Sequence, residues 1–247
     1  MVIRALIFDI NGTMTDILTN EWNTDIYRVL GNLLSYQGIV ISPDELRNAY
    51  FQIMKEQRAA SGERYPEFDA VCVFGEIMTR YGTDYTRALQ PEKLNQLPLV
   101  LAEAYRAASR YQLQLYSGVE KTINQLFLKY RLAILSDGQS AYAVPELNAV
   151  GLLGLFDPVI ISGDFGYRKP DPRLFEKALS DMQMKPSEVL YVCNDMYRDV
   201  YGAQRVGIKT VFFRSNQGQQ EKNGVRPDYV IYSFPELLDA VRFYEQE

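Results

Sequence analysis

The stretch that most constrains this chain is Arg4-Ala-Leu-Ile-Phe-Asp-Ile-Asn-Gly-Thr13. Ala5 to Phe8 form an unbroken apolar run, the pattern of a strand buried on both faces. The run delivers a carboxylate, Asp9, to an Asn11-Gly12 turn, and a hydroxyl, Thr13, follows. A strand of this kind, expected over residues 3–9, needs paired neighbours on both sides. No strand pattern appears between residues 15 and 110, so its partners must come from the second half of the chain.

After Thr13 the rhythm is helical for about a hundred residues. Trp22, Ile26, Val29, Leu30, Leu33 and Leu34 recur at helical spacing and predict a helix over 22–36. Ser42-Pro43-Asp44-Glu45 supplies a hydroxyl cap, a first-turn proline and acids at the positive end of the dipole, predicting a helix to about Ala60. Further helices are expected over 69–81, ended by Gly82, and from Pro91 to about Arg110. From residue 118 onward helices alternate with short apolar strands at 131–135, 158–161, 189–193, 209–213 and 229–231. Residues 215–226 read as a polar, mobile loop. Such alternation implies a parallel sheet covered on both faces. The fold class is therefore α/β: a Rossmann-like doubly wound parallel sheet core with an inserted all-α cap. Residues 1–15 and 115–247 are assigned to the core and 16–114 to the helical cap.

Composition narrows the chemistry. The chain has no histidine. That removes a His general base, a Ser-His-Asp triad and a His-ligated zinc. Its net charge of −5, without a basic block, argues against a nucleic-acid partner. Cys72 and Cys193 are far apart and are expected to be buried small residues in a reducing compartment. No apolar run is long enough to span a bilayer and no leader pattern follows Met1, so a cytoplasmic protein without a membrane partner is expected.

Chemistry-bearing residues gather where the strands end. Asp9, Asn11 and Thr13 follow the first strand. Ser136, Asp137 and Gly138 follow the second, Lys169 the third, and Asp195 with Asp199 the fourth. Parallel topology brings all four groups to one edge of the sheet, the edge at which open α/β sheets bind ligands. Each group taken singly has a turn or helix-cap role; together they suit phosphoryl transfer. A carboxylate can attack phosphorus, acids can hold Mg²⁺, and hydroxyls, turn N–H groups and a lysine can receive the shifting charge.

Asp9-Ile-Asn-Gly-Thr13, Leu135-Ser136-Asp137-Gly138, Gly166-Tyr-Arg-Lys169-Pro-Asp-Pro172 and Asn194-Asp195-Met-Tyr-Arg-Asp199 with Gly202-Ala203 resemble, in order and spacing, the haloacid dehalogenase superfamily of hydrolases, phosphatase-like and with an inserted helical cap. The resemblance implies that Asp9 is the nucleophile and that Ser136 and the Asp137-Gly138 turn bind the transferring group. It implies that Lys169 steadies that group, Thr13 orients the first loop, and Gly12 lets the backbone turn. Asp9, the main-chain carbonyl of Asn11 and Asp195 would bind Mg²⁺, with Asp199 supporting the metal's waters. The substrate would be a small phosphorylated compound.

Asn11 departs from the pattern. The family's phosphatases usually carry an Asp here, which protonates the leaving oxygen and then activates water. An amide cannot carry that proton. A specialised phosphohydrolase slowed at the acid–base step, a substitution that traps an intermediate, a metal-free dehalogenase and a phosphatase-like protein that only binds its ligand are all compatible with it. Asp195, an acid where dehalogenases carry Ser or Asn, favours phosphoryl chemistry. Lys55 and Lys93, the cap's two lysines, read as solvated surface. The loop Gly62-Glu-Arg-Tyr-Pro-Glu-Phe68, with Trp22 and Arg28, is a candidate for substrate contact.

Overall fold

Alternate residues of the first strand serve two different cores. In the computed structural model, which describes residues 2–246, β1 (Ala5–Phe8) is buried throughout. Ala5 and Ile7 pack with Ala133, Leu135, Tyr191 and Phe175, whereas Leu6 and Phe8 pack with Ile134, Val192, Ile123 and Leu237. This two-sided burial is why the run carries no polar residue.

β1 lies between β4 (Arg131–Ser136) and β6 (Val189–Cys193), with every pairing parallel. β5 (Val159–Ile161) extends the sheet beyond β4, and β7 (Lys209–Phe213) with β8 (Tyr229–Ile231) extends it beyond β6. The order is β5-β4-β1-β6-β7-β8. The chain runs outward from β1 on one side and then crosses to the other, so a crevice opens at the carboxyl ends of β1, β4 and β6. Helices α6 (Val119–Phe127) and α10 (Leu237–Gln246) cover one face, and α8 (Pro172–Met182) the other.

The long excursion after β1 begins with a strand, which corrects the expectation of helix alone. β2 (Thr15–Thr19) pairs antiparallel with β3 (Arg110–Leu115), and the Asn20 N–H donates to the Ser109 carbonyl at 2.8 Å to close the ribbon. Neither strand is fully buried, so neither carries the apolar run that marks the central strands. Between them lie α1 (Thr24–Ser35), α2 (Pro43–Ala60), α3 (Ala70–Tyr81), the short α4 (Asp84–Arg87) and α5 (Pro91–Ser109). They share their own apolar cluster around Leu30, Ile53, Phe74, Leu101 and Tyr105, joined from the core side by Tyr142. The capping box expected at Ser42 and Glu45 is present.

Two side chains depart from expectation. Helix α1 starts at Thr24, capped by Asn23, and Trp22 lies outside it, 70% exposed and stacked on Phe51. Cys72 is exposed on α3, while Cys193 is buried as expected. Among the described residues no helix is long and apolar enough to cross a membrane.

Candidate active site

Asp9 leaves β1 where the sheet opens, and three donors converge on its carboxylate. Oδ1 accepts from the Ser136 hydroxyl at 2.9 Å and from Lys169 Nζ at 2.8 Å. Oδ2 accepts from the Thr13 hydroxyl at 3.2 Å. Thr13 is brought back by a tight turn: the N–H groups of Thr13, Met14 and Thr15 all reach the Ile10 carbonyl. Gly12 makes that turn possible, with φ of +81°. A Cβ at this position would lie 2.1 Å from Asn194 Nδ2, so glycine is required by both conformation and space.

Lys169 is almost wholly enclosed. Besides Asp9 its ammonium meets Asp199 Oδ1 at 2.6 Å and the Tyr191 hydroxyl at 3.0 Å. Burial works against a charged lysine here. Asp199, Asp9 and Asp137 outweigh that burial and hold the ammonium well above the usual lysine range. Burial also pushes the Asp199 carboxyl up to about 6, against the pull of Lys169. Tyr191 ties the group together, donating to Asp199 Oδ1 at 3.0 Å.

The remaining expected residues lie around this centre in less uniform ways. Asn11 directs its Oδ1 to the Thr15 hydroxyl at 3.1 Å. Asp137 accepts the Lys169 backbone N–H on Oδ1 at 2.9 Å, while its buried Oδ2 has no hydrogen-bond donor. Burial raises the Asp137 pKa despite Lys169 nearby. The Gly138 N–H already donates to Ser162 Oγ at 3.0 Å, and the Ser136 hydroxyl to Asp9. The Ser162 hydroxyl in turn donates to Glu67 Oε2 of the helical insert.

Asp195 is placed differently from expectation. Its Oδ1 caps the turn that follows, accepting from the N–H groups of Tyr197 and Arg198. Oδ2 accepts from Arg198 Nε at 3.0 Å, from Arg198 Nη2 at 2.9 Å and from the Gln219 N–H at 3.0 Å. Although burial opposes it, Arg198 and these N–H groups hold the Asp195 carboxyl below its usual range. The residue of this segment that reaches the Asp9 loop is Asn194, whose Oδ1 accepts from Thr13 Oγ1 at 3.1 Å. Sequence reasoning missed Asn194, Tyr191 and Arg198. Strand parity carried part of the signal: Tyr191 shares a sheet face with Ile7 and Leu135, each one residue before the end of its strand.

The expected Mg²⁺ donors do not form a free set. Asp9 is engaged by an ammonium and two hydroxyls, and Asp195 by five N–H contacts, three of them on one oxygen. Among the described residues no group of three or more Asp, Glu, Cys or His side chains is arranged to hold a metal ion. Of the expected donors, Asp195 as placed does not fit the ion that the motif resemblance implies.

The loop of residues 62–69 meets the site from the helical insert. The Glu67 N–H donates to the Gly166 carbonyl and the Arg168 N–H to the Tyr65 carbonyl, both at 2.9 Å. Gln139 donates to the Phe68 carbonyl and accepts from the Ala70 N–H, each at 2.7 Å. Of the residues proposed with this loop, Arg28 pairs with Asp25 on an exposed surface, and Trp22 lines a surface groove with Phe51, Lys55 and Arg80. Lys55 and Lys93 are exposed, as expected.

Comparison with known proteins adds four findings. The profile of the family described as haloacid dehalogenase-like hydrolase matches residues 6–213. The chain is similar to the glyceraldehyde 3-phosphate phosphatase of Pyrococcus abyssi, 33% identical over 86% of this chain and 82% of that one. It is similar to pyrophosphatase PpaX of Halalkalibacterium halodurans, 26% identical over 90% and 97%. Among solved structures, a HAD phosphatase from Thermococcus onnurineus superposes with a TM-score of 0.59 at 25% identity, covering 97% of this chain and 98% of that one.

Proposed function

The chain belongs to the haloacid dehalogenase-like hydrolases, and on that premise we propose that it hydrolyses small phosphorylated compounds by attack of the Asp9 carboxylate on phosphorus. The observation that carries the reading is the asymmetric hold on Asp9. Oδ1 is fixed by Lys169 and Ser136, whereas Oδ2 has only the Thr13 hydroxyl. Oδ2 therefore keeps the less engaged lone pair and is the attacking oxygen. Its bond to phosphorus forms as the bond from phosphorus to the leaving oxygen breaks. Lys169 and Ser136 meet the charge that develops around the phosphoryl group. Water then attacks phosphorus, releases phosphate and regenerates Asp9.

Asn11 has no proton to give the leaving oxygen. Leaving groups of low pKa, such as those of acyl and aryl phosphates, need none, so these are the favoured substrates. The helical insert, residues 16–114, acts as a cap over a core of residues 1–15 and 115–247, excluding water when substrate is bound. Its loop at 62–69, fastened beside Ser162 and Lys169, is the part of the cap placed to touch substrate.

The test is turnover of acetyl phosphate and p-nitrophenyl phosphate by the chain and by two variants. Asp9→Asn is expected to abolish turnover, and Asn11→Asp to raise it by about a hundred- to ten-thousandfold for alkyl phosphates with a smaller gain for acetyl phosphate. Equal turnover by Asp9→Asn would exclude Asp9 as nucleophile. Intact mass spectrometry of the same samples guards against Asn11 deamidation mimicking slow activity. A second reading, halide displacement from a 2-haloacid by the same Asp9, needs no metal and is favoured by the engagement of Asp195 with Arg198. Chloride release from 2-chloropropionate, with no phosphate release from the panel, would select it.

A further inference from the structure

Arg198 has no task in the reaction just described, yet it stands between two acids of the site, Asp195 and Asp137. It lies on the π-helical turn Met196–Tyr201, one of the settings in which such turns serve function. Its guanidinium is fixed by Nε and Nη2 on Asp195 Oδ2, at 3.0 and 2.9 Å. Nη1 faces Asp137 Oδ2, the buried oxygen without a hydrogen-bond donor, at 4.0 Å.

We propose that the Arg198 guanidinium is the resident cation of this site, placed where a divalent ion would otherwise bind Asp195, so that the protein neither binds such an ion there nor needs one for turnover. A hard cation requires oxygens with free lone pairs, and Arg198 with the Gln219 N–H fills those of Asp195 Oδ2. Arginine cannot lose its proton to make way, as a lysine or histidine could. The amide oxygens flanking the two acids are engaged as well, Asn11 Oδ1 with Thr15 and Asn194 Oδ1 with Thr13. The Arg198 side chain keeps 38% of its surface exposed while that of Lys169 keeps 2%. Nη1, with no ion-paired oxygen nearer than 4.0 Å, is thus the edge that meets the anionic group of an incoming substrate.

The turnover half of this inference rests on the phosphohydrolase reading; the binding half does not. Mn²⁺ binding to the full chain, followed by electron paramagnetic resonance, is the decisive measurement. No saturable binding is expected, and hydrolysis is expected to be equal in EDTA and in Mg²⁺. Arg198→Gln is expected to gain saturable Mn²⁺ binding that a further Asp195→Asn change removes, and to lose hydrolysis by about a hundredfold. A one-to-one Mn²⁺ signal in the unaltered chain that Asp195→Asn removes would overturn the proposal, as would turnover abolished by EDTA and restored by Mg²⁺. A folded Arg198→Gln that gains no binding would overturn the claim that the guanidinium holds the ion's place. If that variant does not fold, the unaltered chain's titration decides. If no phosphorylated compound is hydrolysed, the phosphohydrolase reading falls while the Mn²⁺ titration still settles the cation.

Discussion

At the scale of single residues, the site is governed by one buried charge meeting several others. Lys169 faces both Asp9 and Asp199 in a setting that admits almost no solvent. Burying an ammonium is costly, and the pair of carboxylates offsets that cost only while the lysine is present. Lys169→Met leaves two buried carboxylates opposed to each other without a cation. It is expected to destabilise the fold by about 3–5 kcal/mol and to abolish hydrolysis. Urea unfolding, with an Asp199→Asn/Lys169→Met double variant recovering part of the loss, would check this. A lysine that merely rests against the site would show little change in stability and no recovery.

At the scale of elements, polar side chains fasten segments that carry too little apolar surface to hold themselves. β8 has three residues, and Asp228 ties its start to β7 through the Thr210 N–H and hydroxyl, both at 3.0 Å, and Lys209 Nζ at 2.7 Å. Burial opposes ionisation there, but Lys209 and the Thr210 donors hold the Asp228 carboxyl below its ordinary 3.8. The sign follows: the stability it contributes is fully present above 3.8 and is lost as pH falls through the lowered value. Urea midpoints are expected to drop below about pH 4, with a shallower drop in Asp228→Asn. An unchanged pH profile in that variant would remove Asp228 from the account. The loop over residues 215–226, expected to be mobile, is fastened in a similar way. Gln217 donates to Asp16 and to the Ile17 carbonyl, and Gln219 both donates to Asp195 and accepts from the Met196 N–H. Its composition is that of a loop; its order comes from backbone and amide bonds to residues far away in sequence.

At the scale of the whole molecule, the chain folds around three apolar clusters, one on each face of the sheet and one in the helical insert, served by one polypeptide that leaves the core and returns. The ribbon β2–β3 marks the crossing, and its ends are held within a hydrogen bond of each other at Asn20 and Ser109. Replacing residues 21–108 with an Asn-Gly turn, which suits a two-residue hairpin, is therefore expected to leave an α/β core that unfolds cooperatively in urea with a smaller denaturant slope. Failure of the excised core to fold would show that the core relies on the insert. Contacts such as the Arg106–Glu146 pair at 2.7 Å and the Gln139 bonds to residues 68 and 70 would then be the place to look.

The sequence by itself determined the fold class, that the first strand draws its partners from the second half of the chain, and the arrival of Asp9, Ser136 and Lys169 at one edge. Each of these depends on apolar runs and on parallel topology, both visible locally. The short strands β2 and β3 were not visible, because a half-buried ribbon stabilised by its own pairing needs no apolar run. Only the tertiary structure decided which residue of Asn194-Asp195 reaches the Asp9 loop, that Tyr191 and Asp199 complete the enclosure of Lys169, and that Arg198 and Gln219 engage Asp195. The physical reason is direction. Residue type and spacing bring a side chain to the sheet edge, but where it points there is set by the turn that follows its strand. Here a π-helical turn and a loop 24 residues further on turn Asp195 toward a guanidinium.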